Sequence, residues 1–148
     1  MKSKIVLLVM LFATAACNSG SSTKSKPNAD IYGSWYAPYS EESNGHFSPE
    51  LLMTISEDGT VLMATTTTKQ KDKEVEKAKA ELTGESITVL ETIASTKCRG
   101  SGASSNNVAN YQLSGNQLTL TFGKVKLTLT RATTEQIKKF EDLKEGCN

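Results

Sequence analysis

Few side chains in this 148-residue chain are of types that do chemistry, and the three cysteines and the single histidine come first among them. Cys17 ends an apolar run, Ile5 to Ala16, that follows Lys2 and Lys4; Ala15 and Ala16 precede it. A positive start, an apolar stretch well short of the roughly 20 residues needed to cross a bilayer, and small residues before a cleavage point make residues 1–16 a secretory signal. Export puts the rest of the chain in an oxidising compartment. Cys98 and Cys147 are the only other cysteines, and a pair with no third candidate is expected to be disulfide-bonded there. Two free thiols are the alternative, unusual outside the cytoplasm. A metal site at either cysteine would need further ligands, and none stands nearby in the sequence.

His46 lies near Glu41 and Glu42, a set from which a metal site or acid and base work could be built. No second anchor supports that, so the residue is read as a surface histidine of a long polar loop. No glycine-rich phosphate loop precedes a helix and no serine stands in a nucleophile elbow. Gly100-Ser101-Gly102 is loop chemistry. The chain is therefore expected to be no enzyme, with no catalytic residue, no cofactor and no metal.

Thr14-Ala15-Ala16-Cys17 resembles the bacterial lipobox, which implies peptidase cleavage before Cys17 and a diacylglyceryl group on its thiol. A large aliphatic residue is usual where Thr14 stands, and an ordinary signal cut after Ala15 or Ala16 is the alternative. Two or three acyl chains, at about 0.8 kcal/mol per buried methylene, hold far better than the single chain that binds only marginally. Asn18 follows the cysteine; in enteric-type bacteria Asp at that position retains a lipoprotein in the inner membrane. The resemblance thus implies a lipid anchor in the cell envelope, at the outer membrane.

Asn18 to Ala29 holds Ser, Lys, Asn, Gly and Pro27 with no large apolar residue, so it cannot bury enough surface to repay ordering. Residues 17–29 are read as a flexible tether, whose root-mean-square reach for twelve residues is about 20 Å. Loss of the signal removes Lys2 and Lys4 from a total of 17 basic and 16 acidic residues, which leaves a slightly negative protein. The densest lysine stretch, Lys69 to Lys79, is interleaved with Asp72, Glu74 and Glu76. Without a basic face there is no case for a nucleic-acid partner. Residues 30–148 suit one domain with one core.

The elements that must position any site are strands. Ile31 to Ala37 reads as the first, Leu51, Met53 and Ile55 alternate in the second, and Val61 and Met63 continue into the β-branched Thr65 to Thr68. Glu57-Asp58-Gly59 is a tight turn between the second and third. Lys69 to Ala80 has helical composition, but an internal repeat argues for strand. Leu82-Thr83-Gly84-Glu85-Ser86-Ile87-Thr88-Val89 matches Leu113-Ser114-Gly115-Asn116-Gln117-Leu118-Thr119-Leu120 in pattern, and Val108 to Gln112 ahead of the second copy is strand-like. A helix over Asp72 to Leu82 remains the alternative. Ile87 to Ile93, Leu118 to Phe122 and Val125 to Arg131 bring the strands to eight. The fold class is all-β: an up-and-down antiparallel barrel, tight turns at one end and the long loops, Pro38 to Ser48 and Thr96 to Asn106, at the other. Thr133 and Gln136 form a capping box for a helix of about 12 residues whose face of Ile137, Phe140 and Leu143 packs outside and returns toward the loose end. That path brings Cys147 toward Cys98.

Gly33-Ser34-Trp35 on the first strand, eight meandering strands, Arg131 ending the last and a helix after it resemble the lipocalin and wider calycin pattern, and small lipocalin-like bacterial lipoproteins in particular. The resemblance implies that Gly33, Trp35 and Arg131 close the barrel, the guanidinium packing across the indole. The family's second motif is not recognisable at Lys69 to Lys73. If Trp35 sets the inward parity, Met53, Met63, Ala80, Tyr111 and Phe122 are among the lining, and the small Ala78 and Ala80 beside Tyr111 leave room for a gap. Eight-stranded barrels either fill with such side chains or hold one small ligand. Two roles follow as expectations: a carrier of a small hydrophobic or amphipathic ligand, or an envelope interaction module or inhibitor acting through its long loops around a filled barrel.

Overall fold

The alternation that begins at Gly33 becomes, in a computed structural model describing residues 24–41, 47–66, 72–96 and 108–145, a closed barrel of eight antiparallel strands. Cys17, His46, Cys98 and Cys147 lie outside those residues, and with them the signal, lipid-attachment and disulfide expectations. The strands are β1 (Gly33–Ala37), β2 (Glu50–Ile55), β3 (Thr60–Thr66), β4 (Asp72–Leu82), β5 (Ser86–Ser95), β6 (Val108–Ser114), β7 (Gln117–Phe122) and β8 (Val125–Arg131). Each pairs with the next, and β8 returns to β1 through Trp35↔Arg131 and Tyr36↔Thr130. Closure removes the open edges that would otherwise template aggregation. The first strand is shorter than its alternation suggests, because Ala29–Ile31 forms a 3₁₀ turn capped by Asn28 and carries Ile31 into the core.

The turns after β2, β4 and β6 lie at one end with the 3₁₀ turn, and Thr66, Asp72, Ser95 and Val108 lie at the other. These are the closed and the loose ends. Within the first long loop Ser40–Glu41 pairs with Phe47–Ser48, and after the last helix Lys144–Glu145 runs parallel to Asp72–Lys73.

The Lys-, Glu- and Ala-rich segment is strand because its small residues serve one face and its charges the other. Ala78 and Ala80 point inward and are buried, while Lys77 and Lys79 point out. Helix propensity of a few tenths of a kcal/mol per residue yields to a closed ladder. Opposite it β5 carries two extra residues. Ala80 pairs with Val89 and Lys79 with Glu91, which leaves Leu90 out of register; Ala78 pairs with Thr92 and Lys77 with Ala94, which leaves Ile93 out. Bulged residues lose their facing partner, and these two are 62% and 52% exposed. The simple alternation expected over Ile87 to Ile93 is broken for that reason. Pairing of β5 with β6 is confined to Ser86–Thr88 against Val108–Asn110.

The core has two parts. Inside the barrel, Trp35, Ile55, Leu118, Leu120 and Leu129 pack with Ile31. Outside it, Leu52, Ala64 and Phe140 form a second cluster flanked by Tyr36, Val75, Ala132 and Ile137. The helix α1 (Thr134–Asp142) covers that outer patch. It is held at its start by the capping box: Thr133 N donates to Gln136 Oε1 at 2.8 Å, and Gln136 N to Thr133 Oγ1 at 3.3 Å. It stops after nine residues, shorter than expected, because Leu143 is already extended and leads into the Lys144–Glu145 pairing.

Candidate functional site

At the closed end the backbone and side chains of β1 and β8 lock together. The Arg131 guanidinium carbon lies 3.8 Å from the centroid of the Trp35 ring, while Nη1 donates to the Tyr32 carbonyl at 2.7 Å and Nη2 to that of Asp30. Trp35 Nε1 donates to the Ile31 carbonyl at 2.8 Å, which satisfies the one polar atom of a fully buried indole. A cation over an indole face contributes about 0.5–2 kcal/mol. Gly33 is required here twice over: its φ is +113°, and a Cβ on it would lie 2.8 Å from Arg131 Nη1. Tyr111 adds a further strut, its hydroxyl donating to the Thr83 carbonyl at 2.7 Å. Burial pushes the Tyr111 phenol above its ordinary pKa, and a hydrogen bond with the Asn28 backbone opposes part of that rise.

Toward the loose end the interior loosens. Met63 and Leu127 are half-buried, Phe122 is 39% exposed and Val125 64% exposed. Register places Thr65 and Glu74 on the same face as Leu51, and Glu76 on the same face as Met63. Two carboxyl-bearing residues thus stand on the inward face of β4 above the apolar floor. Among the described residues every buried side-chain nitrogen or oxygen has a hydrogen-bond partner, and no group of three or more His, Cys, Asp or Glu could hold a metal ion.

Outside the barrel, Glu50 is buried beneath α1. Its carboxylate accepts from Tyr36 Oη at 2.6 Å and from Lys139 Nζ at 2.7 Å on both oxygens. Burial first, then the hydrogen bond and charge of Glu50, raise the Tyr36 phenol to about 12. Lys73 reaches the Phe140 carbonyl one residue along the same helix. These contacts fasten the helix to the outer wall.

The residues read as lining fall into two groups. Met53, Ala80 and Tyr111 are buried in the packed inner cluster, with Met63 at its margin. Phe122 stands outside that cluster at the loose end. Ala78 and Ala80 are both buried. Sequence reasoning missed Glu50, Tyr36 and Lys139, and the outer cluster they frame. One signal for it was available: Leu51-Leu52-Met53 is apolar on both faces, the pattern of a strand covered on both sides.

Comparison with known proteins adds little. No protein-family model matches the chain, and no curated protein matches it. Among solved structures, a lipoprotein YedD from Klebsiella pneumoniae subsp. pneumoniae MGH 78578 is similar, with a TM-score of 0.46 and 14% identity over 80% of this chain and 87% of that one. A likeness of that size transfers no role, and the fold class stands on the closed strand ladder itself.

Proposed function

We propose that the chain is a non-enzymatic lipoprotein of the bacterial cell envelope, held by acyl chains on Cys17 at the outer membrane, whose lipocalin-like barrel takes a small apolar or amphipathic molecule through its loose end. The observation that carries this reading is the asymmetry of the interior. One end is sealed by Trp35, Arg131 and Tyr111, while toward the other Phe122 and Val125 are exposed and Leu127 and Met63 only half-buried. Kinship to lipocalins is part of the proposal, supported by Gly33 and the stacking of Arg131 on Trp35. The lipid anchor is supported by the segment ending at Cys17.

A filled barrel acting through its long loops on another envelope protein is the second reading, favoured by the dense packing of Met53, Ala80 and Tyr111. Native mass spectrometry of the chain purified from its own envelope separates the two. A retained small molecule of defined mass, lost on denaturation, is the result expected of the first. A bare mass together with loop crosslinks to one protein would establish the second.

The pairing of Cys98 with Cys147 belongs to the same proposal. What supports it is the shared edge of β4. Thr96 sits against Val75, its hydroxyl accepting from Val75 N at 2.8 Å, and Glu145 pairs with Lys73 two residues along. Each cysteine lies two residues beyond one of those anchors, within reach of the usual Cα separation of about 4.4–6.8 Å. Mass mapping of non-reduced peptides is expected to recover one linked pair; two free thiols in the exported protein would refute it.

A further inference from the structure

Residues 24–29, expected to belong to a flexible tether, are instead bonded across the closed end, because their backbone and Lys24 find partners on the barrel. Ser25 O accepts from Gly84 N at 2.8 Å in the turn between β4 and β5, and Lys24 Nζ meets both Glu81 carboxylate oxygens at 2.8 and 2.7 Å. Asn28 caps the 3₁₀ turn through a 3.0 Å bond from Asp30 N. Gly84 is shaped for this strap. A Cβ there would lie 2.3 Å from Ser25 Oγ and 3.0 Å from Ser25 Cβ, although Gly84 itself does not take positive φ. Its counterpart in the repeat, Gly115, has the opposite character: φ is +57° and nothing stands within 4 Å of a Cβ. One glycine serves its own turn, and the other makes room for a second piece of chain.

From this strap we infer that the closed end of the barrel faces the lipid surface and the loose end faces the aqueous compartment, so that ligand or partner reaches the mouth from water and not from the anchoring bilayer. The inference rests on the proposed acylation of Cys17. Residues 24–29 are spoken for, so only seven residue steps separate Cys17 from Lys24, a reach of at most about 25 Å fully extended and about 15 Å as a flexible chain. A strand of seven residues such as β3, tilted as barrel strands are, spans about 16 Å along the axis. Laying the mouth on the membrane would draw the anchor chain up the whole wall of the barrel, at most of its contour length. Standing on the closed end costs no such extension.

A photoreactive benzophenone amino acid placed at Asn116, in a closed-end turn, or at Lys124, in the loose-end turn, tests this in the full-length acylated chain in its own envelope. Both positions are exposed and outside the core and the strap. Lipid adducts are expected from Asn116 and lost to background from Lys124. Gly84→Val, which displaces Ser25, is expected to erase the difference. Lys24→Glu, which sets like charges at Glu81 without touching the barrel, repeats that test should the valine variant fail to fold. Equal adducts from both sites on a chain whose intact mass shows acylated Cys17 would overturn the orientation alone; strap variants that keep the difference would overturn the strap as its cause. An unmodified Cys17 would overturn the anchor reading and the orientation with it.

Discussion

The two ends of the barrel are held by different means. At the closed end, order comes from inside: a stacked indole and guanidinium, a glycine with no room for a methyl group, and a buried tyrosine bonded to a turn carbonyl. Toward the loose end, order comes from outside, where α1 lies on Leu52, Ala64 and Val75 and is pinned through Glu50 and Lys73. The inner arrangement uses the interior volume, so nothing else can occupy it there. The outer arrangement stabilises the wall without using interior volume.

Trp35→Ala breaks the inner arrangement most directly. It removes a fully buried indole and the platform beneath Arg131, at about 3–5 kcal/mol, a large share of the roughly 5–15 kcal/mol that ordinary domains have. Chemical denaturation is expected to show one cooperative transition at much lower midpoint; a change below 1 kcal/mol would mean that Arg131 and its carbonyl contacts close the barrel alone.

Phe140→Ala sharpens the contrast. Its side chain is 1% exposed, but the helix it anchors can detach, so the expected loss is about 2–3 kcal/mol, at the low end for a large-to-small change. Hydrogen exchange is expected to show the amides of α1 opening while those of Leu118 and Leu129 stay protected. Global loss of protection at both ends would refute the idea that the two are held separately.

The smallest effect is a pH dependence. The Tyr36 phenol is raised to about 12 in the folded protein against about 10 in an unfolded chain. Between those values the folded state keeps a proton that the unfolded state has released, so stability is complete below pH 10 and falls as pH rises through 12. Tyr36→Phe is expected to flatten that part of the profile in thermal denaturation, where other groups contribute equally to both proteins. An unchanged slope would show that the buried Tyr36 phenol does not carry it.

Much of this was legible in the chain. Period-two alternation with tight turns at Gly59, Gly84 and Gly115 is enough to dictate the meander and to sort its connections between two ends, because successive antiparallel strands must reverse. Thr133 and Gln136 announced the helix start, since capping is satisfied by residues three apart with no help from the fold. The lining was legible as a parity but not as a site. Which inward positions are packed, as Met53 and Tyr111 are, and which are open, as Phe122 is, depends on how neighbouring strands approach.

What the amino-acid sequence determined by itself was local and periodic: the faces of the strands, the turns and the cap. The tertiary structure alone decided the long-range matches. The bulges at Leu90 and Ile93, the outer cluster under Phe140, the grip of Lys139 on Glu50 and the strap over Gly84 each join residues more than ten positions apart, or a strand to a partner of different length. No local pattern encodes such pairings, because their energies exist only after closure of the barrel has brought the partners together.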